Sequence, residues 1–210
     1  MKQTITLMTI AAIFAAKPTM AKGPEALPNR EVSIRLFNAS APAEIVGPAK
    51  HIASKVLAQA GIGLVWRSTY KPEPIMEMGA CGDRKLQTID IAFAQKAPSN
   101  LPGSAMAIAH PFSSGGVRII VFWDRVQSMH QVNTSSTLRA VLGHVLAHEI
   151  GHILIGKYEH SVTGLMKARF SHSDEGWMRK EPLPIEPSDI EAMQSNLDNP
   201  RPACPVLAAK

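Results

Sequence analysis

Apolar and polar residues alternate from Glu31 to Phe37. A period of two is typical of a strand with one buried face. The pattern then changes to apolar residues one helical turn apart, with Pro48 where a first helical turn is expected and Gly61 at the expected end. Ile62 to Trp66 predicts a second strand. A strand, a helix and a strand in this order favour a parallel pair of strands.

Three further strands are predicted after a loop over residues 67–85, which contains several Gly and Pro. Leu86 to Ala94 alternates between apolar and polar positions. Ser104 to Ala109 is short and is flanked by Gly and Pro, which predicts an edge strand. Val117 to Trp123 is almost wholly apolar, which predicts a central strand covered by helices on both faces.

The second half of the chain changes from strands to helices. A helix is predicted from a cap at Ser135 or Ser136 to about Ile155, where a glycine follows. Residues 157–186 show no sustained period and contain several Gly and Pro, so we expect loops. A last helix begins at Pro187. This order of elements predicts an α+β fold with an α/β-like N-terminal part.

The chain has 210 residues and 45% hydrophobic residues, enough for one domain with a sizeable core. Lys2 is followed by the apolar run Ile5 to Ala16 and then by Thr19-Met20-Ala21, a pattern typical of a cleaved signal peptide. We therefore expect a signal peptide over 1–21, a single domain over 22–210 and a secreted or periplasmic location. An uncleaved anchor is the alternative, but the run is shorter than the roughly 20 residues that span a bilayer. We expect no later segment to insert into a membrane.

The formal charge falls from +5 to +3 when Lys2 and Lys17 leave with the signal peptide. The remaining Lys and Arg are scattered, which argues against a nucleic-acid partner and fits a soluble monomer. Export permits disulfides, and the chain has two cysteines, Cys81 and Cys204. A disulfide between them is one interpretation, and a buried thiol is the other.

Polar residues interrupt an apolar stripe in the long predicted helix. At about 100° per residue, Val141, Val145, His148 and His152 lie on one side of a helix. Two imidazoles one turn apart have the spacing with which a helix holds one zinc ion. Glu149 lies on the adjacent face, where it can act as a general base without binding the metal.

The alternative is that these histidines are ordinary polar residues of a helix. That alternative would bury three polar groups without evident partners, which costs free energy unless a metal binds them. His144 precedes His148 by one turn, but Val145 follows it instead of a glutamate. We therefore interpret His144 as a packed or supporting residue.

The stretch HEIGH, followed by a glycine, a third histidine and the sequence SVTGLM, resembles the metzincin zinc metallopeptidases. It is especially similar to matrix metallopeptidases and to small exported bacterial metzincin-like proteins. The resemblance implies a twisted mixed sheet, an upper part over about 30–156 and a loop-rich lower part over about 157–210 that ends in a helix. It also implies these roles: zinc ligands His148, His152 and His160, general base Glu149, turn residue Gly156, and Met166 in a methionine turn beneath the metal.

The spacing of the third ligand departs from the family pattern. The gaps from the second histidine to the glycine and from there to His160 are four residues each, whereas the family has three. The turn must therefore be wider, and four other residues are alternative third ligands: Glu159, His172, Asp174 and Glu175. Met166 taken alone would be interpreted as a core residue, but its position six residues beyond His160 favours the methionine turn.

These features predict an exported zinc metalloendopeptidase in which Glu149 activates a zinc-bound water to hydrolyse a protein or peptide. The substrate would lie extended along Ser104 to Ala109, and Arg169 and Phe170 would wall a side-chain pocket. One alternative is a secreted zinc-binding interaction module whose metzincin-like site is not catalytic. Another is hydrolysis of a substrate that is not a peptide.

Overall fold

The computed structural model describes residues 30–37, 40–68, 88–111, 117–128 and 134–199. The predicted signal peptide, most of the loop over 67–85, Cys81 and Cys204 lie outside these residues, so the disulfide stays a prediction. The described elements are β1 (Arg30–Phe37), α1 (Ala43–Ala58), β2 (Ile62–Ser68), β3 (Thr88–Ala94), β4 (Ala107–His110), β5 (Arg118–Phe122), α2 (Trp123–Ser128), α3 (Ser135–Ile155), α4 (His172–Met178) and α5 (Pro187–Asp198).

The strands form one mixed sheet in the order β2-β1-β3-β5-β4. In this order, the four strands from β2 to β5 are parallel to one another, and the edge strand β4 is antiparallel to β5. The expected parallel pairing of β1 with β2 is therefore confirmed. The segment predicted as an edge strand is β4, and it does lie at the edge of the sheet. This arrangement confirms the α+β fold with a mixed sheet.

The sheet buries one face against α1 and α3. Every second residue of β1, β3 and β5 is buried on that side: Val32, Ile34, Leu36, Ile89, Ile91, Phe93, Ile119 and Val121. The other face is half-buried and holds a paired Arg35 and Asp90 on neighbouring strands, with N–O distances of 2.7 and 2.9 Å. The expectation that Val117 to Trp123 is buried on both faces is wrong, because Arg118 and Ile120 are only half-buried and Trp123 already belongs to α2.

α1 begins at Ala43, five residues before Pro48, so Pro48 lies inside the helix rather than in its first turn as expected. A proline at this position has no N–H to donate to the carbonyl of Glu44. The Nε of Arg139 in α3 donates to that carbonyl instead, at 3.0 Å. A contact with a helix 95 residues away in sequence thus compensates for the proline.

α1 and α3 cross closely where Gly143 faces α1. A Cβ at this glycine would lie 2.6 Å from Ile52 and 3.0 Å from the Ala49 carbonyl oxygen. α3 begins one residue after Thr134, whose side chain accepts a hydrogen bond from the Thr137 N–H. The cap thus lies one residue before Ser135 and two before Ser136, the two predicted caps. The helix ends at Gly156 as expected, in the left-handed conformation with φ 68°.

α3 is buried on nearly all sides, with every residue from Leu138 to Leu154 buried except Arg139. The apolar stripe predicted from the sequence is therefore not a distinct face. By length and composition alone α3 could cross a membrane, contrary to the expectation that no later segment could. In the fold, however, 89% of the most apolar 18-residue stretch of α3 is buried inside the protein. This burial accounts for the apolar composition of the helix.

The segment after α3 contains a helix that was not predicted from the sequence, α4. Ser171 and Asp174 form a capping box in which each side chain pairs with the backbone of the other residue. A Ser followed three residues later by Asp is a helix-start signal, but no apolar period follows it because the helix is only seven residues long. The last helix, α5, begins at Pro187 as predicted.

His144 ties α3 to this C-terminal segment. Its Nδ1–H donates to the Ala140 carbonyl at 2.8 Å, and its Nε2 accepts the Leu183 N–H at 3.1 Å. Burial lowers the pKa of His144, so the ring stays neutral and both bonds persist. The interpretation of His144 as a packed, supporting residue thus agrees with its surroundings.

Replacing His144 is expected to change how stability depends on pH. Because the folded pKa is lowered, the unfolded chain binds a proton below about pH 6.5 while the folded protein does not. The contribution of His144 is therefore present above that pH and is lost as the pH falls towards the lowered folded pKa. Between pH 7 and pH 5, the free energy of unfolding measured with urea should fall more steeply for wild type than for His144→Gln. The difference in slope should be up to about 1.4 kcal/mol per pH unit.

The other titrating groups are common to both proteins and cancel in this comparison. His51→Gln, which replaces an exposed histidine of α1, should follow wild type. Equal slopes for wild type and His144→Gln would contradict the prediction.

Candidate metal centre

His148 and His152 project from α3 one turn apart, with ring centroids 4.6 Å from each other. The Nδ1–H of His148 donates to the Leu165 carbonyl at 2.8 Å, and that of His152 donates to the Lys157 carbonyl at 3.0 Å. A carbonyl oxygen can only accept, so Nδ1 carries the proton in both rings. The Nε2 atoms of both histidines therefore present lone pairs.

These two Nε2 atoms lie 3.0 Å apart in a buried setting. Burial, with a smaller contribution from His152, lowers the pKa of His148 to about 3, and burial lowers that of His152 to about 4. Both rings are thus neutral at pH 7, and their lone pairs face each other without a proton between them. Two nitrogens bound to one tetrahedral zinc at 2.0–2.1 Å lie about 3.3 Å apart. A cation in this position relieves the repulsion of the lone pairs, and the geometry fits Zn²⁺.

His160 joins the pair from the loop after α3. Its ring centroid lies 5.5 Å from that of His148 and 4.8 Å from that of His152, and the coordinating atoms of all three histidines lie within 4.8 Å of one another. Unlike the other two, His160 is exposed. The turn at Gly156 therefore brings the third histidine back to the helix in spite of the two extra residues.

The alternative third ligands contact other partners. Glu159 is exposed and faces Lys157 at 3.8 Å. Asp174 caps α4 and pairs with Lys167, and His172 lies 3.5 Å from Glu175 in the same short helix. Within the described ranges no carboxylate joins the three histidines.

Glu149 is 8% exposed and stands beside the first histidine, at the edge of the sheet. Burial raises its pKa to about 7, and the backbone N–H of Ala109 in β4 opposes this shift by stabilising the carboxylate. A carboxyl group with this pKa can accept and release a proton near neutral pH.

β4 turns half of its backbone groups towards this carboxylate. The Phe122 N–H donates to the Met106 carbonyl at 2.8 Å, which makes these opposite residues a hydrogen-bonded pair. Pairs alternate along an antiparallel ladder, so Ala107 and Ala109 direct their N–H and C=O groups away from β5, to the open edge. The edge strand thus presents backbone hydrogen-bonding groups next to Glu149.

Met166 is 1% exposed and packs against the turn of α3 that carries the histidines. A Cβ at Gly151 would lie 2.5 Å from the Met166 Sδ, so this glycine makes room for the methionine. The turn that contains Met166 closes by a hydrogen bond from the Ser161 N–H to the Met166 carbonyl at 2.9 Å, and Gly164 adopts φ 73° within it. Met166 is therefore both a core residue and the residue beneath the metal-site helix.

Two acidic residues at the start of α5 brace this turn, and neither role was predicted from the sequence. The Ser161 hydroxyl lies 2.8 and 2.7 Å from the two carboxylate oxygens of Asp189, and the Thr163 hydroxyl donates to Glu186. Asp189 thus anchors the residue that directly follows His160. The only sequence signal was the position of Asp189 in the first turn of the predicted helix.

A cleft of about 640 Å³ opens beside the histidines. One wall is Pro102 to Ala109, and the other includes Lys167, Arg169 and Phe170. The Phe170 ring lies 5.7 Å from the His148 ring, edge to face. The residues predicted to line a substrate groove therefore do border one cavity with the metal centre.

Arg125 of α2 shapes the first wall. Its guanidinium donates to the carbonyl of Pro102 and, at 3.1 Å, to that of Ala105. It also approaches the carbonyls of Pro98 and Leu101 at 3.4 and 3.5 Å. One side chain thus holds the loop that leads into β4. Neither α2 nor this arginine was predicted from the sequence, and the carbonyls that Arg125 contacts come from a segment at least 20 residues earlier in the chain.

Comparison with known proteins identifies the fold. No protein-family model matches this sequence, and no curated protein matches it. The chain is similar in structure to a zinc-dependent peptidase from Methanocorpusculum labreanum (strain Z), with a TM-score of 0.50, 16% identity, and coverage of 76% of this chain and 99% of that one. It is also similar to archaemetzincin from Methanopyrus kandleri, with a TM-score of 0.44, 15% identity, and coverage of 81% and 96%. The first similarity shows that this chain has the fold of that zinc-dependent peptidase.

Gly151→Ala is expected to disturb the packing of Met166 under the histidines. The new methyl group would overlap the Met166 Sδ, which cannot move far because Met193 lies on the same side. Thermal unfolding should show a loss of about 1–3 kcal/mol in stability. Gly176→Ala is the control, because a Cβ there meets nothing within 4 Å and alanine favours the helix. Equal stability of the two variants would contradict this packing.

Proposed function

We propose that this protein is a zinc-dependent endopeptidase of the metzincin type that acts outside the cytoplasm. The observation that carries the proposal is the position of Glu149. It is buried beside three converging imidazoles and also faces the open edge of β4. A site that only binds zinc for structural purposes uses all four coordination positions and has no need of a base or a cleft.

His148, His152 and His160 would hold the metal as three neutral nitrogen ligands. When bound, Zn²⁺ supplies a Lewis acid that lowers the pKa of water and polarises a peptide carbonyl. The hydrogen bonds to the Leu165 and Lys157 carbonyls orient two of the rings and increase the basicity of their Nε2 atoms.

Glu149 would move the proton during hydrolysis. Its carboxylate accepts a proton from the attacking water, holds it within the buried site and releases it to the departing amine. Burial raises the pKa of this carboxyl in the metal-free site, which favours its uptake of the proton from water.

The edge strand would hold the substrate in an extended conformation. Ala107 and the carbonyl of Ala109 direct backbone groups into the cleft, where a peptide can add as a further strand. This pairing places the scissile bond beside Glu149, since the Ala109 N–H already contacts that carboxylate. Backbone pairing with an extended peptide does not require a free chain terminus, which supports an endopeptidase.

Two finer parts of the proposal rest on the sequence. The pattern of residues 1–21 supports export. The similarity of the segment from His148 to Met166 to matrix metallopeptidases and small exported bacterial metzincin-like proteins supports the metzincin type. The convergence of His160 with the two helical histidines is consistent with that assignment in spite of the longer spacing.

Glu149→Gln is expected to abolish peptide cleavage and to retain zinc. The amide keeps the size of the side chain and cannot accept the proton, so the rate should fall about 10²–10⁴-fold. The measurement is cleavage of an unbiased peptide library by the zinc-loaded protein, with zinc content determined in parallel. Glu159→Gln, which changes an exposed acid next to the third histidine, should cleave like wild type. Undiminished cleavage by Glu149→Gln would refute the role of this carboxyl.

His160→Ala is expected to lower zinc affinity by more than about 10–100-fold. That range is the loss expected when only a hydrogen bond to a metal ligand is removed, whereas this variant removes a ligand itself. Competition with a chelator of known affinity measures this change. Zinc should also raise the melting temperature of wild type more than that of the variant. His172→Ala, which removes the alternative imidazole, should bind zinc like wild type. Weakened binding in the His172 variant and normal binding in the His160 variant would reverse the assignment.

A further inference from the structure

We propose that the cleft selects peptides with a carboxylate side chain near the scissile bond, and that Arg169 binds this carboxylate. The inference rests on the proposed peptidase function and specifies the class of substrate.

Cationic side chains outnumber acidic ones along the cleft. Arg125, Lys167 and Arg169 border it, and Glu149 is the one acid among the lining residues of the described chain. Glu149 is itself buried beside the histidines. A concave site with an excess of one sign of charge concentrates the field and attracts ligands of the opposite sign.

Two of the three cations already have partners within the protein. The Arg125 guanidinium donates to the carbonyls of Pro102 and Ala105, so its hydrogen-bonding capacity serves the loop before β4. Lys167 pairs with Asp174, and both side chains are largely buried. Neither cation can bind a substrate carboxylate without breaking a contact that shapes the cleft.

Arg169 differs from both. It is exposed, and no hydrogen bond or ion pair connects it to any residue in the described ranges. Its position along the wall is nevertheless fixed, because the neighbouring Phe170 packs against the His148 ring at 5.7 Å. The guanidinium is therefore attached beside the metal centre and is available to a ligand.

A guanidinium distinguishes a carboxylate from the isosteric amide. It offers two parallel N–H donors that match the two oxygens of a carboxylate, and the opposite charges add to the attraction. The amide of Gln presents one acceptor and no charge. Because Arg169 is exposed, the preference for Glu over Gln in a matched peptide is expected to be about two- to fivefold in kcat/KM.

The test uses the full zinc-loaded protein and pairs of peptides that differ only by Glu or Gln, placed at successive positions on either side of the cleaved bond. Wild type should cleave the Glu member about two- to fivefold better at one position or two. The ratio should fall in 0.5 M NaCl, where charges are screened. Arg169→Gln should bring the ratio close to one, and Arg169→Glu should favour a Lys peptide over the Glu peptide.

Arg179→Gln is the matched control, since it removes an exposed cation of the same segment that does not line the cleft. Its Glu-to-Gln ratio should equal that of wild type. A ratio of one in wild type, or an unchanged ratio in Arg169→Gln, would overturn the inference.

Binding to Glu149→Gln protein separates this inference from the proposed function. Fluorescently labelled Glu and Gln peptides are titrated against that variant with and without Arg169→Gln. A preference of the variant for the Glu peptide that requires Arg169, together with no cleavage of any peptide by zinc-loaded wild type, would refute the peptidase and support the selection. Cleavage without preference, or the absence of preference in both assays, would refute the selection.

Discussion

The site depends on two hydrogen bonds from histidine side chains to backbone carbonyls. The Leu165 and Lys157 carbonyls hold the protons of His148 and His152 on Nδ1 and so direct two lone pairs at one point. Both carbonyls belong to the segment after α3, whereas both histidines belong to the helix. The loop must therefore be folded against the helix before the histidines can act as a pair of ligands.

The rest of the C-terminal segment also contributes to holding the loop against α3. His144 accepts the Leu183 N–H, and Asn196 donates to the Leu154 carbonyl at the end of α3. Asp189 holds Ser161, the residue next to His160. These bonds join the loop and α5 to one helix, so the lower part of the chain is a support for the metal centre rather than a separate unit.

The helical half of the site could be predicted from sequence because its geometry is local. A spacing of four residues fixes His148 and His152 on one side of any helix. The position of His160 depends instead on how the chain turns after Gly156, and only the resemblance to a family predicted it. Asp189 and Arg125 escaped prediction because their partners lie at least 20 residues away in sequence. The strands could be predicted for the same reason, because the alternation of apolar and polar residues is also local. The expected burial of β5 on both faces was wrong, because apolar composition does not show which faces of a strand are covered.

The longer turn before His160 has a thermodynamic consequence. Two ligands stand on a buried helix whose conformation is set by core packing, and the third is exposed on a loop. Ordering that loop costs conformational entropy, and the contact between Ser161 and Asp189 offsets part of this cost before any ligand binds. The free energy of metal binding therefore includes the remaining cost of ordering the loop. Metal affinity in this fold is thus a property of the anchor at α5 as well as of the three imidazoles.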